Sequence, residues 1–416
     1  MDLDISQKIS ENSGLGTITK SHSPFAQMPC PVDVSRVKDF LLQDLASKVL
    51  QKKFRVQFCL KRKIDKNNLV NVCFNESTSK AHYGNVIRCG SVWVCPVCAK
   101  KITEHRRTEL KNINTMWKNG ITLYVPEKMD ENFIGPPIHH AKDVKGFTYL
   151  LTLTSPHYAY QNLSLLRERM TKAKDLFFGG KKNSSLFQKQ LGKIFHVTNL
   201  EVTYGQNGWH PHNHILLFTQ HAVHGFASYR DQLARIWMDS CIKAGLRSPS
   251  MKHGLDIQDG SQADRYVAKW GLPEEMSKGH MKKGKNGGYT PFDLLELSIE
   301  DKPLYGGKLP SKLFQEYAIV MKGQRQLVWG RGLKKLLRID EKTDEEHAEE
   351  TEKNAIELTS VADYGFTLLT VFQKRHVFLD CVARDYEQKD GFSSANALLD
   401  ELHFKYLEIQ KFKQLE

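Results

Sequence analysis

The sequence predicts an α+β protein with a central antiparallel β-sheet flanked by helices, a cysteine-bearing N-terminal segment and a mostly helical C-terminal region. Two observations predict the sheet and a third surrounds it with helices. Residues 147–155 (FTYLLTLTS) form a β-branched and aromatic run bounded by Gly146 and Pro156, which is the composition of a strand. Phe195–Tyr204 and His210–Phe218 are strand-like runs on either side of Gly205-Gln-Asn-Gly208, a hairpin signature. Helical patterns cover Leu163–Phe178, Tyr229–Lys243 and, more briefly, Ala263–Trp270. The order strand, helix, hairpin, helix, helix describes an α+β domain over residues 145–300.

Residues 1–35 are rich in Ser, Gly and Pro and lack a period, so a flexible N-terminal arm is predicted there. Residues 36–125 form a second region, with a basic-faced helical stretch over 36–63 and a cysteine cluster followed by a charged helix. Pro and Asp in residues 126–145 suggest a linker. Residues 301–416 read as a mainly helical C-terminal region, interrupted by an acidic run that starts near Ile339. There is no internal repeat.

The chain has 416 residues, with 60 Lys plus Arg against 47 Asp plus Glu, a net charge of +13. That excess favours a polyanionic partner, because each phosphate neutralised releases counterions. No apolar run approaches the ~18 residues of a membrane span, and the first residues lack a signal-peptide core. A cytoplasmic protein without a membrane partner is expected. In a reducing compartment a cluster among eight cysteines points to a metal rather than to disulfides.

His212 and His214 lie two apart in the second run of the hairpin. Strand side chains alternate between faces, so both imidazoles project from one side. A turn centred near Gln206 and Asn207 sets Glu201 opposite His212, with its carboxylate on that same side. Two neutral imidazoles and a carboxylate with open positions suit Mg²⁺ or Mn²⁺. An isolated pair of histidines at this spacing is more often a surface feature than a metal site. Here the facing carboxylate and the apolar continuation Ile215–Phe218 favour the metal. His210 has the same parity and ranks below the other two, as an alternative ligand or a DNA contact.

Tyr266 and Lys269 are three apart on a predicted helix, hence on one face. A phenol is a weak nucleophile with a free pKa of about 10. A neighbouring ammonium favours the phenolate and can hold a phosphate. A tyrosyl phosphodiester also conserves bond energy, so a cut strand can be rejoined without ATP. Taken alone, the pair would more often be a core tyrosine beside a surface lysine. Lys278, Lys282, Lys283 and Lys285 follow among glycines, a cationic loop suited to single-stranded DNA. Trp209 and Trp270 are candidates for base stacking, with core packing the stronger role for at least one.

Cys95-Pro-Val-Cys98 is a CxxC knuckle, with Cys89 six residues upstream and Cys73 sixteen before that. Four thiolates so close in sequence fit a tetrahedral structural Zn²⁺ site, with His82 as the alternative to Cys73. Lys100, Lys101, Arg106 and Arg107 follow at near-helical spacing and are candidates for a phosphate-facing stripe.

In this order, these pieces resemble the HUH superfamily of endonucleases, and more closely the plasmid rolling-circle replication initiators called Rep proteins. The strand Phe147–Thr154, the His-x-His strand within GWHPHNHILLF and the helix with Tyr266-Val-Ala-Lys269 carry the resemblance. CGSVWVCPVCAKKI (89–102) and LVWGRGLKKLL (327–337) extend it over residues 70–340. It implies an HUH-type sheet and metal-dependent nicking and joining of plasmid origin DNA in the bacterial cytoplasm. Tyr266 would become linked to the 5′ end, and the released 3′ hydroxyl would prime synthesis. The implied partners are a host helicase, single-strand binding protein and DNA polymerase. Two departures stand out. Asn213 replaces the usual hydrophobic residue between the histidines. Gln262 and Trp270 stand where relatives carry a second acid or tyrosine, so the chain resembles a single-tyrosine member. A round would then end through a metal-activated water or through Tyr266 of a second copy in a homodimer. The rival readings are an HUH transposase or relaxase, and a zinc-containing DNA-binding regulator without nicking activity.

Overall fold

The computed structural model describes residues 33–126, 139–192, 194–223, 226–259, 288–337 and 355–415, together with 342, 343 and 346. In chain order the elements are α1 (Val34–Leu50), β1 (Val70–Asn75), β2 (Lys80–Gly84), α2 (Pro96–Asn119), β3 (Ile121–Pro126), β4 (His139–Val144) and β5 (Phe147–Leu153). Next come α3 (Leu163–Phe178), α4 (Lys181–Leu191), β6 (Phe195–Gly205), β7 (Gly208–Thr219), α5 (Phe226–Lys243) and β8 (Leu255–Asp259). Then follow α6 (Pro291–Leu297), α7 (Pro310–Met321), β9 (Leu327–Trp329), α8 (Leu333–Leu337), β10 (Ala355–Val361), α9 (Asp363–Val371), α10 (Arg375–Gln388) and α11 (Ser393–Leu415). The protein is α+β with antiparallel sheets.

The chain divides into two compact units, one of residues 1–98 with 348–416 and one of residues 99–347. The first unit contains a three-stranded sheet in the order β10-β1-β2. Val70, Val72 and Phe74 alternate into its core, as the two-residue period of a strand requires. The rings of Phe74 and Tyr386 lie 4.9 Å apart, and Tyr83 donates its hydroxyl to the carbonyl of Arg375 at 2.8 Å. Helix α1 starts at Asp33, whose carboxylate accepts from the amides of Ser35 and Arg36 at 3.0 and 3.2 Å, satisfying two of the donors a helix start leaves open.

The second unit holds a five-stranded sheet in the order β8-β5-β7-β6-β9. Its middle is the β6–β7 hairpin, in which Gly205 pairs with Gly208. The left-handed residue there is Gly208 (φ +83°), and neither Gln206 nor Asn207 has positive φ. The turn therefore follows the type I form closed by a glycine, not the mirror-image form. One sheet face packs Leu150, Phe195, Val197, Leu216 and Phe218 with Leu110, Ile113 and Trp117 of α2. Trp117 meets Phe195 and Phe218 edge-on and donates its Nε1–H to the carbonyl of Thr219 at 3.1 Å.

Two expectations meet a different arrangement. Past the boundary expected at residue 300, β9 adds an edge strand to the five-stranded sheet, while β10 pairs with β1. The expected linker over 126–145 is bracketed by paired strands β3 and β4. Sequence periodicity also missed β1, β2, β8 and α4. The expected arm lies outside the described residues up to residue 32, and the expected helix Ala263–Trp270 lies outside them entirely. Among the described residues, no helix is long and apolar enough to cross a membrane.

Candidate functional site

The pleat of β7 divides the strand between packing and chemistry. Trp209, Pro211, Asn213, Ile215 and Leu217 are buried. His210, His212 and His214 share the opposite parity and stay partly exposed, whereas Leu216 and Phe218, further along that face, enter the core. One face thus runs from apolar packing at one end to three imidazoles at the other.

The hairpin register pairs Glu201 with His212, the position derived from the turn. His212 Nε2 and His214 Nε2 lie 3.2 and 3.0 Å from the same oxygen, Glu201 Oε2. Burial raises the Glu201 carboxyl, but hydrogen bonds and charge from His212 and His214 outweigh it and hold the group well below the carboxylate range. His212 Nδ1 faces the carbonyl of His210 at 3.3 Å. A carbonyl only accepts, so Nδ1–H donates to it, an arrangement that would leave Nε2 to a metal in place of its hydrogen bond to Glu201. Thr152 of β5, paired with His214, sets its hydroxyl 3.1 Å from His214 Nδ1. Such a partner on the far nitrogen fixes how an imidazole presents a ligand. A carboxylate and two oriented imidazoles with their donor atoms within 4.8 Å of one another could hold a divalent cation.

Two more imidazoles border this group. His157, just after Pro156, stacks on His210 with centroids 4.4 Å apart and planes 15° from parallel. Burial, then the neighbouring His212 and His157, push His210 down to about 3. Burial likewise lowers His157. Sequence reading overlooked His157, and the only sign available was its place just beyond a predicted strand.

A second cluster lies in the first unit. The thiols of Cys59, Cys89, Cys95 and Cys98 are all buried and lie within 4.8 Å of one another. Cys59 thus stands where Cys73 was expected. Cys73 is on β1, paired with His82 and facing Glu357 of β10, so the sheet holds both expected residues away from the cluster. Sγ separations of 3.5 Å (Cys59–Cys98), 3.7 Å (Cys89–Cys98) and 3.8 Å (Cys59–Cys95) are close to the edge, about 3.8 Å, of a tetrahedron with metal–sulfur bonds of ~2.3 Å. Cys98 opens α2, where a helix start favours a thiolate. Hydrogen bonds from the other three thiols hold Cys98 well below the usual thiol range.

The cluster is braced from behind. Gln43 donates Nε2–H to Cys95 Sγ at 3.2 Å. Fully buried Arg375 donates to the carbonyls of Cys59 and Leu60 and pairs with Asp44 at 2.6 Å. Burial raises the Asp44 carboxyl, but Arg375 and Lys61 overcome that and keep it ionised. α10 therefore fixes the turn that delivers Cys59, a link between distant parts of the chain with no sequence signature.

The basic candidates fare unevenly. Arg106 is only 6% exposed, and its guanidinium donates to Gln326 Oε1 at 3.1 Å. It does not belong to a surface stripe, and burial lowers it to about 10. Arg107 is held by Glu104 at 2.9 Å. Lys100 and Lys101 remain partly exposed. Trp209 is fully buried against Tyr204 and Tyr317, which makes it a core residue. Tyr266, Lys269, Trp270, Lys278, Lys282, Lys283 and Lys285 lie outside the described residues.

The chain is similar to Protein rep of Streptomyces lividans, with 27% identity over 320 residues that span 67% of this chain and 68% of that protein. No family model matches the chain, and no solved structure matches it.

Proposed function

We propose that this chain, a Rep-type protein by its similarity to the Streptomyces lividans protein, initiates plasmid rolling-circle replication as an HUH-type nicking and joining enzyme. The observation that carries the reading is the convergence of His212 Nε2 and His214 Nε2 on Glu201 Oε2 at one end of the central hairpin. Glu201, His212 and His214 hold Mg²⁺ or Mn²⁺, and such an ion polarises a phosphate oxygen when bound. Thr152 and the His210 carbonyl keep both rings aimed.

Tyr266 supplies the nucleophile. Its oxygen forms a bond to phosphorus as the bond from phosphorus to the 3′ oxygen breaks. The phenolic proton departs and the 3′ oxygen gains one, leaving a 3′ hydroxyl and a 5′ phosphotyrosyl link. Lys269 favours the phenolate and the phosphate. Beyond the segment that carries Tyr266, the chain rejoins the site at Tyr289, which exchanges backbone hydrogen bonds with Tyr204, three residues from Glu201. Cys59, Cys89, Cys95 and Cys98 hold a structural Zn²⁺. Origin DNA is the substrate, and a host helicase, single-strand binding protein and polymerase act with it.

Purified protein is incubated with a supercoiled plasmid carrying its origin, with and without Mn²⁺ or Mg²⁺, and run on a denaturing gel. Metal-dependent nicking with a protein–DNA adduct is expected, and the adduct should vanish in Tyr266→Phe. An adduct that persists would move the nucleophile to another residue. Binding to the origin without nicking in either metal would favour the regulator reading.

A further inference from the structure

Beside the histidines lies an exposed aromatic surface to which the reading above gives no role. Tyr158-Ala-Tyr-Gln161 forms a tight turn: the Gln161 amide donates to the Tyr158 carbonyl at 2.9 Å, and the Tyr158 amide to Gln161 Oε1 at 2.8 Å. Asn162 then caps α3. The turn rests on the hairpin so closely that a Cβ at Gly208 would come within 2.9 Å of Ala159 Cα. The backbone here is fixed at both ends, yet the side chains it presents are not packed away. Tyr160 is 80% exposed and stacks on Tyr158, with ring centroids 5.7 Å apart and planes 14° from parallel. The Arg247 guanidinium lies 4.8 Å from the centre of the Tyr158 ring and donates to its hydroxyl at 3.0 Å. His157, next to Tyr158, stacks on His210, two residues from His212.

We infer that Tyr160 and Tyr158, with Arg247, form a platform on which a base of single-stranded DNA stacks next to the nick site. This deepens the nicking reading and rests on it. A rigid turn that holds a large aromatic ring in water forgoes the stability its burial would contribute. A flat π-surface beside a cation matches a base and its phosphate, since every base offers a π-face and arginine binds both. A duplex hides those faces between its base pairs, so the surface selects single strands. Its place along the hairpin sets the bound base beside the scissile phosphate.

The test is fluorescence anisotropy of the full-length chain with a labelled oligothymidylate of about 15 nucleotides, and with a duplex of equal length. Tyr160→Ala should weaken single-strand binding about tenfold and leave duplex binding within twofold, whereas Tyr160→Trp should keep affinity and show indole quenching on binding. Single-strand binding unchanged in Tyr160→Ala overturns the platform, as does an equal loss on duplex, which would signal a phosphate contact. Plasmid nicking is measured on the same preparations. If the wild type nicks but Tyr160→Ala binds normally, only the platform falls. If the wild type does not nick yet Tyr160→Ala loses binding, the nicking reading falls and a stacking surface stands.

Discussion

The two clusters of metal-ligating side chains contrast in closure. The cysteine cluster offers four buried sulfur donors at tetrahedral separations, enough to satisfy a zinc ion completely. The histidine cluster offers one carboxylate and two imidazoles, all partly exposed, leaving positions for other ligands. A closed set of soft donors serves architecture, while an open set of nitrogen and oxygen donors admits a substrate oxygen. The same logic governs their surroundings. Arg375 and Gln43 brace the thiols from a buried network. Thr152 and the His210 carbonyl instead aim the imidazoles, and among the described residues all three donors stay partly exposed.

The largest effect should come from the closed cluster. With the proposed zinc in place, Cys95→Ser is expected to lose it and destabilise the protein by at least ~5 kcal/mol, because metal affinity is folding free energy in such sites. Metal analysis and denaturant unfolding would show it, and full stability without metal would refute a structural zinc. Next in size, His214→Ala should cut nicking about a hundredfold or more while leaving stability within ~1 kcal/mol. A large fall in stability there would mean that the open cluster is architectural too, erasing the contrast. The smallest effect concerns Asn213, which lies between the two histidines. It is 4% exposed, and its Nδ2 has no hydrogen-bond partner among the described residues. Asn213→Leu should raise stability by about 1 kcal/mol by removing an unsatisfied buried donor. A fall in melting temperature would instead reveal a partner for Nδ2.

What could be read from the sequence divides along the same line. The histidine site is local: a two-residue period and a four-residue turn bring Glu201, His212 and His214 to one face of one hairpin. The cysteine site is only partly local. Cys89, Cys95 and Cys98 sit within ten residues, but Cys59 arrives from the short turn beyond α1, positioned by an arginine from far along the chain. Proximity in sequence therefore favoured Cys73, whose strand turns it to a neighbouring sheet. Arg106 shows the reverse failing, in which a legible pattern was misread. It falls four residues from Ile102 and four from Leu110, on the buried stripe of α2, and a four-residue spacing shares a face. Its charge suggested surface, whereas its position specified core. Strands β9 and β10 are short or weakly alternating, so only their pairing reveals them.

The pairing of Val70 with Val361 in the first unit also bears on the order of events during synthesis. Residues 99–347 emerge from the ribosome as a continuous stretch and can close their five-stranded sheet as soon as they are free. Strand β1 emerges long before its neighbour β10 and must wait with one edge unpaired, a template for wrong partners. A nascent chain stalled before Ala355 would thus carry the five-stranded sheet in finished form and the cysteine-bearing unit unfinished. Synthesis of β10 would decide when the sheet of the first unit can close.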